Sequence, residues 1–347
     1  YRLDKVRSPS TTRLPTVQTP TSPVAENPAA APDDRDDGRG RARRRLRAGG
    51  ALPGGGAFRE KALFLALVLP NLALLGVFTY RPLLDNVRLS FFHWNISSPT
   101  STFIGFDNYV WVFTQPEGTW SVINTVIWVL ICPTIATIVG LAYAVFIDRA
   151  AGEKYLKVLI FMPFAISFVG AGIIWKFVYD YRQGDQLGIL NAIVTAFGGD
   201  PVAWLSVTPL VNSLLLMVVF IWSQTGLAMV ILSAAIKAVP PEQNEAAELD
   251  GANAWQRFRN VTVPGIRSSI VVVVTTIAIA ALKIYDIVAV MTGGRANTSV
   301  LAFEMVNQQQ RFQSYGHAAA LAVVLFIFVT PLIVFNIIQI RKQREIR

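Results

Sequence analysis

The stretch VPPEQNEAAELDGANAWQRFRNVTVP, Val239–Pro264, lies between two strongly apolar runs, so it connects two membrane spans outside the bilayer. It carries four carboxylates, a central glycine and a helical pattern of its own. Pro241 suits the first position of a helix. Glu242, Glu245 and Glu248 follow at a spacing of three and therefore share one helical face. The pattern predicts a short helix with an acidic edge.

A turn and a second helix are predicted to follow. Gly251 can take a left-handed conformation that a residue with a side chain resists. We expect Asp250 to cap the second helix, where Asn253 and Gln256 also resemble a capping box. The two helices would form a compact helix–turn–helix.

The second helix carries an apolar stripe of Trp255, Phe258 and Val261, and Pro264 is expected to end it before the next span. An idle amphipathic hairpin on the lipid surface is the alternative. The acidic residues argue against that alternative because the cytoplasmic leaflet is itself negative. A surface that docks a protein fits better.

Composition places the chain in a membrane. Of the 347 residues 53% are hydrophobic and 15% are charged, against about 25% charged in a typical soluble domain. The single cysteine, Cys132, excludes an intrachain disulfide and is expected to be a buried apolar residue. The net charge of +9 and the run RGRARRRLR raise nucleic-acid binding as an alternative, but a topology signal beside apolar spans is favoured.

Six apolar runs are long enough to cross a bilayer, and a polar segment, residues 1–57, precedes them. We expect that segment to be a disordered tail and residues 58–347 to form an all-α, six-helix membrane domain with a connecting loop at 238–265. The predicted spans are 62–80, 121–147, 156–179, 210–236, 266–291 and 316–340.

Basic residues predict the orientation of these spans. Without the tail, eleven lysines and arginines fall on one side and five on the other. The richer side is expected to be cytoplasmic. Both termini and the Val239–Pro264 loop would therefore lie inside the cell.

At this point the sequence resembles a known family. Glu245-Ala246-Ala247, Asp250-Gly251-Ala252, Phe258 and the ending Val261-Thr262-Val263-Pro264 resemble the EAA loop of ABC importer permeases, with valines where Ile and Leu are usual. In that family the loop forms coupling helices that sit in a cleft of the ATPase. The resemblance implies the six-helix type I permease fold and gives an ATPase-coupling role to Glu245, Ala246, Ala247, Asp250, Gly251, Ala252, Phe258 and Pro264.

Two further segments resemble carbohydrate permeases. FIGFDNY, Phe103–Tyr109, is similar to their F-x-G-x-x-N-Y segment, and MTGGRANTSVLAFEM, Met291–Met305, to their T-x-GG…T stretch. The resemblance implies import of a sugar, such as an oligosaccharide or an α-glucoside, through the cytoplasmic membrane of a bacterium or archaeon. The implied partners are a cytoplasmic ATPase dimer, a second related permease and an extracytoplasmic sugar-binding protein.

The chain is expected to be a transport subunit without enzymatic activity or a bound cofactor. No G-x-x-x-x-G-K-[ST] motif occurs, so ATP and magnesium are expected on the partner ATPase. His93 and His317 lack metal-ligand spacing and are taken as ordinary residues.

Polar groups within the spans are the candidates for a substrate path. Trp222, Ser223, Gln224 and Thr225 offer an aromatic face beside hydrogen-bonding groups, which suits a sugar; the alternative is that they join helices. Lys283 and Tyr285 are further candidates. A snorkelling Lys283 is favoured over a Lys283–Asp286 pair that gates the outer mouth.

Three rival functions stay open. One is an ABC permease for another small solute. A second is a proton- or sodium-coupled transporter, which would favour a deeply buried acidic residue or inverted repeats. The third is a membrane enzyme that acts on lipid-linked sugars, which would need carboxylates grouped at one interface.

Overall fold

The computed structural model describes residues 55–148, 150–181 and 188–345. Residues 1–54 of the predicted disordered tail lie outside the described residues. Two compact units divide the chain after Leu67; the described part of the first, 55–67, is helical, and the second holds the other elements. The elements are α1 Gly55–Leu75, α2 Arg81–Leu89, β1 Phe92–Asn95, β2 Ser98–Phe103, α3 Asp107–Thr114, α4 Pro116–Ile147, α5 Glu153–Phe161, α6 Phe168–Val178, α7 Ile189–Ala196, α8 Pro209–Lys237, α9 Pro241–Leu249, α10 Ala254–Arg257, α11 Val263–Leu282, α12 Asp286–Met291, α13 Leu301–Gln310 and α14 Tyr315–Glu345.

Within the described ranges, five helices are long and apolar enough to cross a membrane, and a bent pair of helices supplies a sixth span if it is counted as one. The helical class is thereby confirmed. The five unbroken spans are Leu63–Leu89, Pro116–Ile147, Leu210–Lys237, Ala254–Leu282 and Tyr315–Gln339.

The third predicted span, 156–179, is wrong as a continuous helix. Its two parts, Glu153–Ala165 and Phe168–Val178, meet at 100°. Pro163 stands in a 3₁₀ turn at the end of the first part, and Ile166 is extended. The Ser167 hydroxyl then accepts the Gly170 N–H at 3.1 Å and caps the second part. Proline removes a helical donor and serine starts a new helix, so the bend has a local cause.

The fifth predicted span, 266–291, is also corrected. The helix starts earlier, at Ala254, and ends at Leu282. A three-residue break separates it from α12, which begins at Asp286. The acidic side chain lies in the first turn of α12, where the helix dipole favours negative charge.

The core lies between α4, α8 and α11. Trp128, Phe220, Met229 and Ile277 are almost fully buried there, and the Trp128 and Phe220 rings meet edge-on at 5.7 Å. This apolar layer packs the long helices side by side.

A small β-hairpin adds to the predicted all-α architecture. β1 and β2 pair antiparallel, with Phe92 opposite Phe103. The buried Asn108 side chain donates to the carbonyls of Ser90 and Phe92 at 2.8 and 3.0 Å, and so holds the start of the hairpin. The asparagine of the FIGFDNY segment is therefore a structural anchor.

Candidate functional site

The Val239–Pro264 loop begins with α9 and turns at Gly251. Gly251 has φ +83°, as predicted, and an added Cβ would meet no atom within 4 Å. The Gly251 N–H donates to the Glu248 carbonyl at 3.0 Å and the Ala252 N–H to the Ala247 carbonyl at 2.9 Å. This pair of bonds is a Schellman motif, which ends α9 and requires a left-handed residue at Gly251.

The second helix starts with the predicted capping box. The Gln256 N–H donates to Asn253 Oδ1 at 2.9 Å, and the Asn253 N–H donates to Gln256 Oε1 at 2.8 Å. The expectation that Asp250 caps this helix is wrong, because Asp250 occupies the C-terminal cap of α9. Gly251 and Ala252 separate it from the start of α10.

The second helix does not stop at Pro264. A π-helical turn, Phe258–Thr262, joins α10 to α11, and the Val263 N–H donates to the Phe258 carbonyl. The wider turn carries the helix past the proline, whose missing donor falls in the first turn of α11. The loop and the following span are therefore one continuous helix from Ala254 to Leu282.

The surface of the loop combines charge with exposed apolar side chains. Glu245 and Ala246 are exposed on α9. Leu249 and Trp255 are 90% and 67% exposed. Large apolar side chains at such exposure on a polar loop indicate a surface that a partner covers.

An ion pair joins the two helices of the loop. Arg257 Nη1 lies 2.6 Å from Glu248 Oε2. The Trp255 and Phe258 rings lie beside each other at 5.5 Å. The ion pair and the Schellman turn hold α9 and α10 in one arrangement, and the two rings pack within the second helix.

A cavity of about 520 Å³ lies between the loop and the end of α4. Leu141, Phe146 and Asp148 line it from α4, and Asn244 and Arg257 line it from the loop. The loop thus faces the bundle across a space that is mostly apolar.

The structure separates the four candidates on α8. The Ser223 hydroxyl donates to the Phe220 carbonyl at 2.8 Å and the Thr225 hydroxyl to the Ile221 carbonyl at 2.7 Å. Both hydroxyls are satisfied within their own helix, which favours the packing interpretation for them. Gln224 is buried, and none of the described residues hydrogen-bonds to its amide.

Trp222 is half-buried and meets Trp175 of α6 edge-on at 5.7 Å. One helical turn away, Gly226 lies against the break in the third span, where an added Cβ would come within 2.6 Å of the Ile160 carbonyl oxygen. This part of α8 therefore packs on the bent helix pair. Because the Ser223 and Thr225 hydroxyls are bonded within their own helix, Trp222 and Gln224 are the stronger substrate candidates of the four.

Lys283 and Tyr285 lie in the break between α11 and α12. Lys283 is exposed, and the Tyr285 ring stacks on Phe303 at 5.8 Å. No ion pair joins Lys283 and Asp286 among the described side chains, so the gate gains no support and the snorkelling interpretation of Lys283 stays a prediction.

Sequence reasoning missed a clamp between α4 and the Met291–Met305 segment. The buried Asn124 amide donates to the carbonyls of Asn297 and Ser299 at 2.6 and 2.9 Å. Its oxygen accepts the Ser213 hydroxyl of α8 at 3.1 Å. A single asparagine in an apolar helix is the available signal, but its partners lie 89, 173 and 175 residues away and no spacing reveals them.

The same segment holds a buried carboxylate. Glu304 accepts the Ser299 hydroxyl at 3.0 Å and the Gln308 amide at 2.8 Å. Thr292 and Thr298, the two threonines of the carbohydrate-permease resemblance, hydrogen-bond to each other at 2.6 Å. These bonds fold the segment onto itself.

The histidines play structural parts. The His317 ring stacks on Trp111 at 4.1 Å, and His93 lies in β1. In the part of the chain that the structure describes, no three metal-ligating side chains come together.

Comparison with known proteins decides the family. Residues 63–345 match the family described as the binding-protein-dependent transport system inner membrane component. The chain belongs to this family. It is a transport subunit of the inner membrane, not an enzyme.

Two relatives are similar along most of the chain. The osmoprotective compounds uptake permease protein GgtC of Synechocystis is 42% identical over 282 residues, which cover 81% of this chain and 99% of the relative. The alpha-glucoside transport system permease protein AglF of Rhizobium meliloti is 45% identical over 278 residues, which cover 79% and 80%.

A solved structure confirms the architecture. A chain in the crystal structure of a bacterial alginate ABC transporter, in complex with an alginate pentasaccharide-bound periplasmic protein, aligns with a TM-score of 0.68 and 19% identity. The alignment covers 81% of this chain and 94% of that chain. The type I ABC importer permease fold expected from the EAA resemblance is therefore confirmed.

Proposed function

We propose that this chain is a sugar-translocating permease subunit of an ATP-driven importer, with an oligosaccharide or an α-glucoside as substrate. The single observation that carries the coupling part is the Val239–Pro264 loop, an exposed two-helix surface continuous with the fifth span. The sugar part is supported by the 45% identity to a permease named for alpha-glucoside transport.

In this proposal the chain converts a movement of its partner into opening and closing of a path. ATP and magnesium bind the partner ATPase dimer, whose closure displaces α9 and α10. Because α10 runs into α11 without interruption, the displacement reaches the bundle. Alternating exposure of the path to the two sides follows from such rigid movements.

The proposal includes the partners that the family resemblance implies. A second, related permease would complete the path; Leu69, Leu72, Phe78 and Leu84 on the first span are more than half exposed, as on any helix that faces lipid or another span. A sugar-binding protein would deliver substrate at the hairpin side. Both termini would be cytoplasmic, as the distribution of basic residues predicts.

Reconstitution tests the function directly. The chain is placed in proteoliposomes with its partner permease, ATPase and binding protein, and uptake of labelled maltose, trehalose and a longer α-glucan is followed. We expect uptake that requires both ATP and the ATPase subunit. Uptake driven by a proton or sodium gradient without the ATPase would instead identify an ion-coupled transporter.

The choice of substrate has its own control. Unlabelled sugars and non-sugar osmoprotectants compete for uptake in the same vesicles. Competition by α-glucosides alone supports the sugar assignment. If only a non-sugar solute competes, the chain is an ABC permease for another class of small solute, and the sugar assignment is wrong.

A further inference from the structure

A cluster of charged side chains lies beside the coupling loop, outside every motif discussed above. It comprises Asp148 at the end of α4, Glu153 and Lys157 on α5, and Ser233 and Lys237 at the end of α8. Two carboxylates and two ammonium groups make it balanced in charge. We call these five residues the inner charge cluster.

Direct bonds connect its members across three helices. Lys157 Nζ lies 2.6 Å from Asp148 Oδ1 and 2.7 Å from Glu153 Oε1. Lys237 pairs with Glu153, and the Ser233 hydroxyl donates to Asp148 Oδ1 at 2.8 Å. The Lys157 and Asp148 side chains are only 21% and 12% exposed, so these bonds are screened less than surface ion pairs.

The cluster is continuous with the coupling loop. Lys237 is the last residue of α8, and α9 begins four residues later at Pro241. Val239, between them, is buried and packs against Gly265 of α11, where an added Cβ would lie 3.1 Å from its Cγ2. Both ends of the loop are thus anchored next to the cluster.

Asp148 has a second carboxylate oxygen that the cluster does not use. Oδ2 is buried and has no hydrogen-bond partner among the described residues. Asp148 lines the cavity that Asn244 and Arg257 line from the loop. Asp148 is therefore both a member of the cluster and part of the wall of the cavity beneath the loop.

We infer that the inner charge cluster transmits the movement of the coupling loop to the inner ends of α4, α5 and α8. Lys157 is its central positioning residue, because it bonds to members on all three helices. The inference rests on the proposed function. It assigns to the loop a second route into the bundle, besides the continuous helix α10–α11.

The test uses the complete transporter in proteoliposomes, with substrate uptake and ATP hydrolysis measured on the same vesicles. Lys157→Met removes the ion pairs, and Lys157→Arg keeps the charge. Lys154→Met is the matched control, because Lys154 is exposed on the same helix and makes no ion pair with a described residue. Yield and co-purified ATPase report on assembly.

We expect Lys157→Met to assemble and hydrolyse ATP while the substrate carried per ATP falls by about fivefold or more, as for other coupling interactions. Lys157→Arg should restore most of that ratio, and Lys154→Met should leave it unchanged. An unchanged ratio for Lys157→Met, or a parallel loss of uptake and hydrolysis that Lys157→Arg fails to reverse, overturns the inference. Absence of ATP-dependent uptake by the wild-type complex would instead refute the proposed function.

Discussion

Gly251 is the residue on which the shape of the coupling loop depends. A non-glycine residue at its φ of +83° costs on the order of 1–2 kcal/mol, while the open space around it rules out a clash. We expect Gly251→Asp to give a folded, membrane-inserted protein that no longer retains its ATPase. Co-purification with a tagged ATPase measures this.

Gly198 offers the matched control. Its φ is +79° and its added Cβ would also meet nothing within 4 Å, but it lies in the segment after α7, away from the loop. Gly198→Asp should carry the same backbone strain and keep the ATPase. Normal ATPase recovery with Gly251→Asp would contradict a coupling role for the turn.

Trp222 is the aromatic candidate of the substrate path. It is half-buried, and its ring meets Trp175 at 5.7 Å, so truncation leaves space on the face where a sugar ring would stack. We expect Trp222→Ala to weaken uptake by about tenfold, the cost of a lost aromatic contact of 1–2 kcal/mol, with normal assembly. Trp222→Phe should recover part of the lost uptake. Unchanged uptake kinetics in Trp222→Ala would remove this residue from the path.

At this scale the sequence predicts what depends on near neighbours. The left-handed glycine and the Asn253–Gln256 capping box follow from residues three or four positions apart, and both are confirmed. The bonds from Asn124 to Asn297 and Ser299, and those from Lys157 to Asp148 and Ser233, were not predictable, because these partners lie in other parts of the chain. Asp250 was misassigned because the helix dipole favours an acidic residue at the start of a helix, whereas the turn at Gly251 places Asp250 at the C-terminal cap of α9.

Among the elements, the Met291–Met305 segment is held by the Asn124 clamp. Asn124→Ala leaves the carbonyls of Asn297 and Ser299 without their donor and should cost about 1–3 kcal/mol locally. We expect faster amide exchange at residues 292–300, measured by hydrogen–deuterium exchange of the detergent-solubilised protein. Asn86→Ala is the control, since the Asn86 amide bonds only the Pro82 carbonyl of its own exposed helix.

The clamp would be contradicted if amide exchange at residues 292–300 were the same as in the wild type in both variants. The prediction separates the clamp from general stability, because exchange in α11, to which the Asn124 side chain makes no hydrogen bond, should stay unchanged in Asn124→Ala.

Element boundaries show where hydrophobicity alone is insufficient. The runs 156–179 and 266–291 are mostly apolar, so a length criterion predicts one span each. Their breaks come from backbone chemistry: Pro163 and Ser167 in the first, and the polar stretch from Lys283 to Asp286 in the second. At Pro264 the error was the opposite one: a helix end was predicted, but the helix continues. A π-helical turn precedes the proline and places it in the first turn of α11.

For the whole molecule, the orientation in the membrane is the prediction that most others assume. Ala246 is exposed on α9, and the native Cys132 is fully buried. We expect an Ala246→Cys variant to react with a membrane-impermeant thiol reagent in inside-out vesicles and not in intact cells. Ile96→Cys, in the exposed turn of the hairpin, should show the opposite pattern. Labelling of Ala246→Cys from outside would invert the topology and end the coupling proposal.

The continuous helix from Ala254 to Leu282 has a mechanical consequence. Its 29 residues measure about 40 Å. If a helix of that length tilts by about ten degrees about its docking end, its far end moves by roughly 7 Å, which is the length multiplied by the sine of the tilt angle. The far end meets the break at Lys283, where the chain can bend instead of following. If the loop couples to the ATPase as proposed, this helix would act as a lever between the two membrane faces, with the break at Lys283 as its hinge.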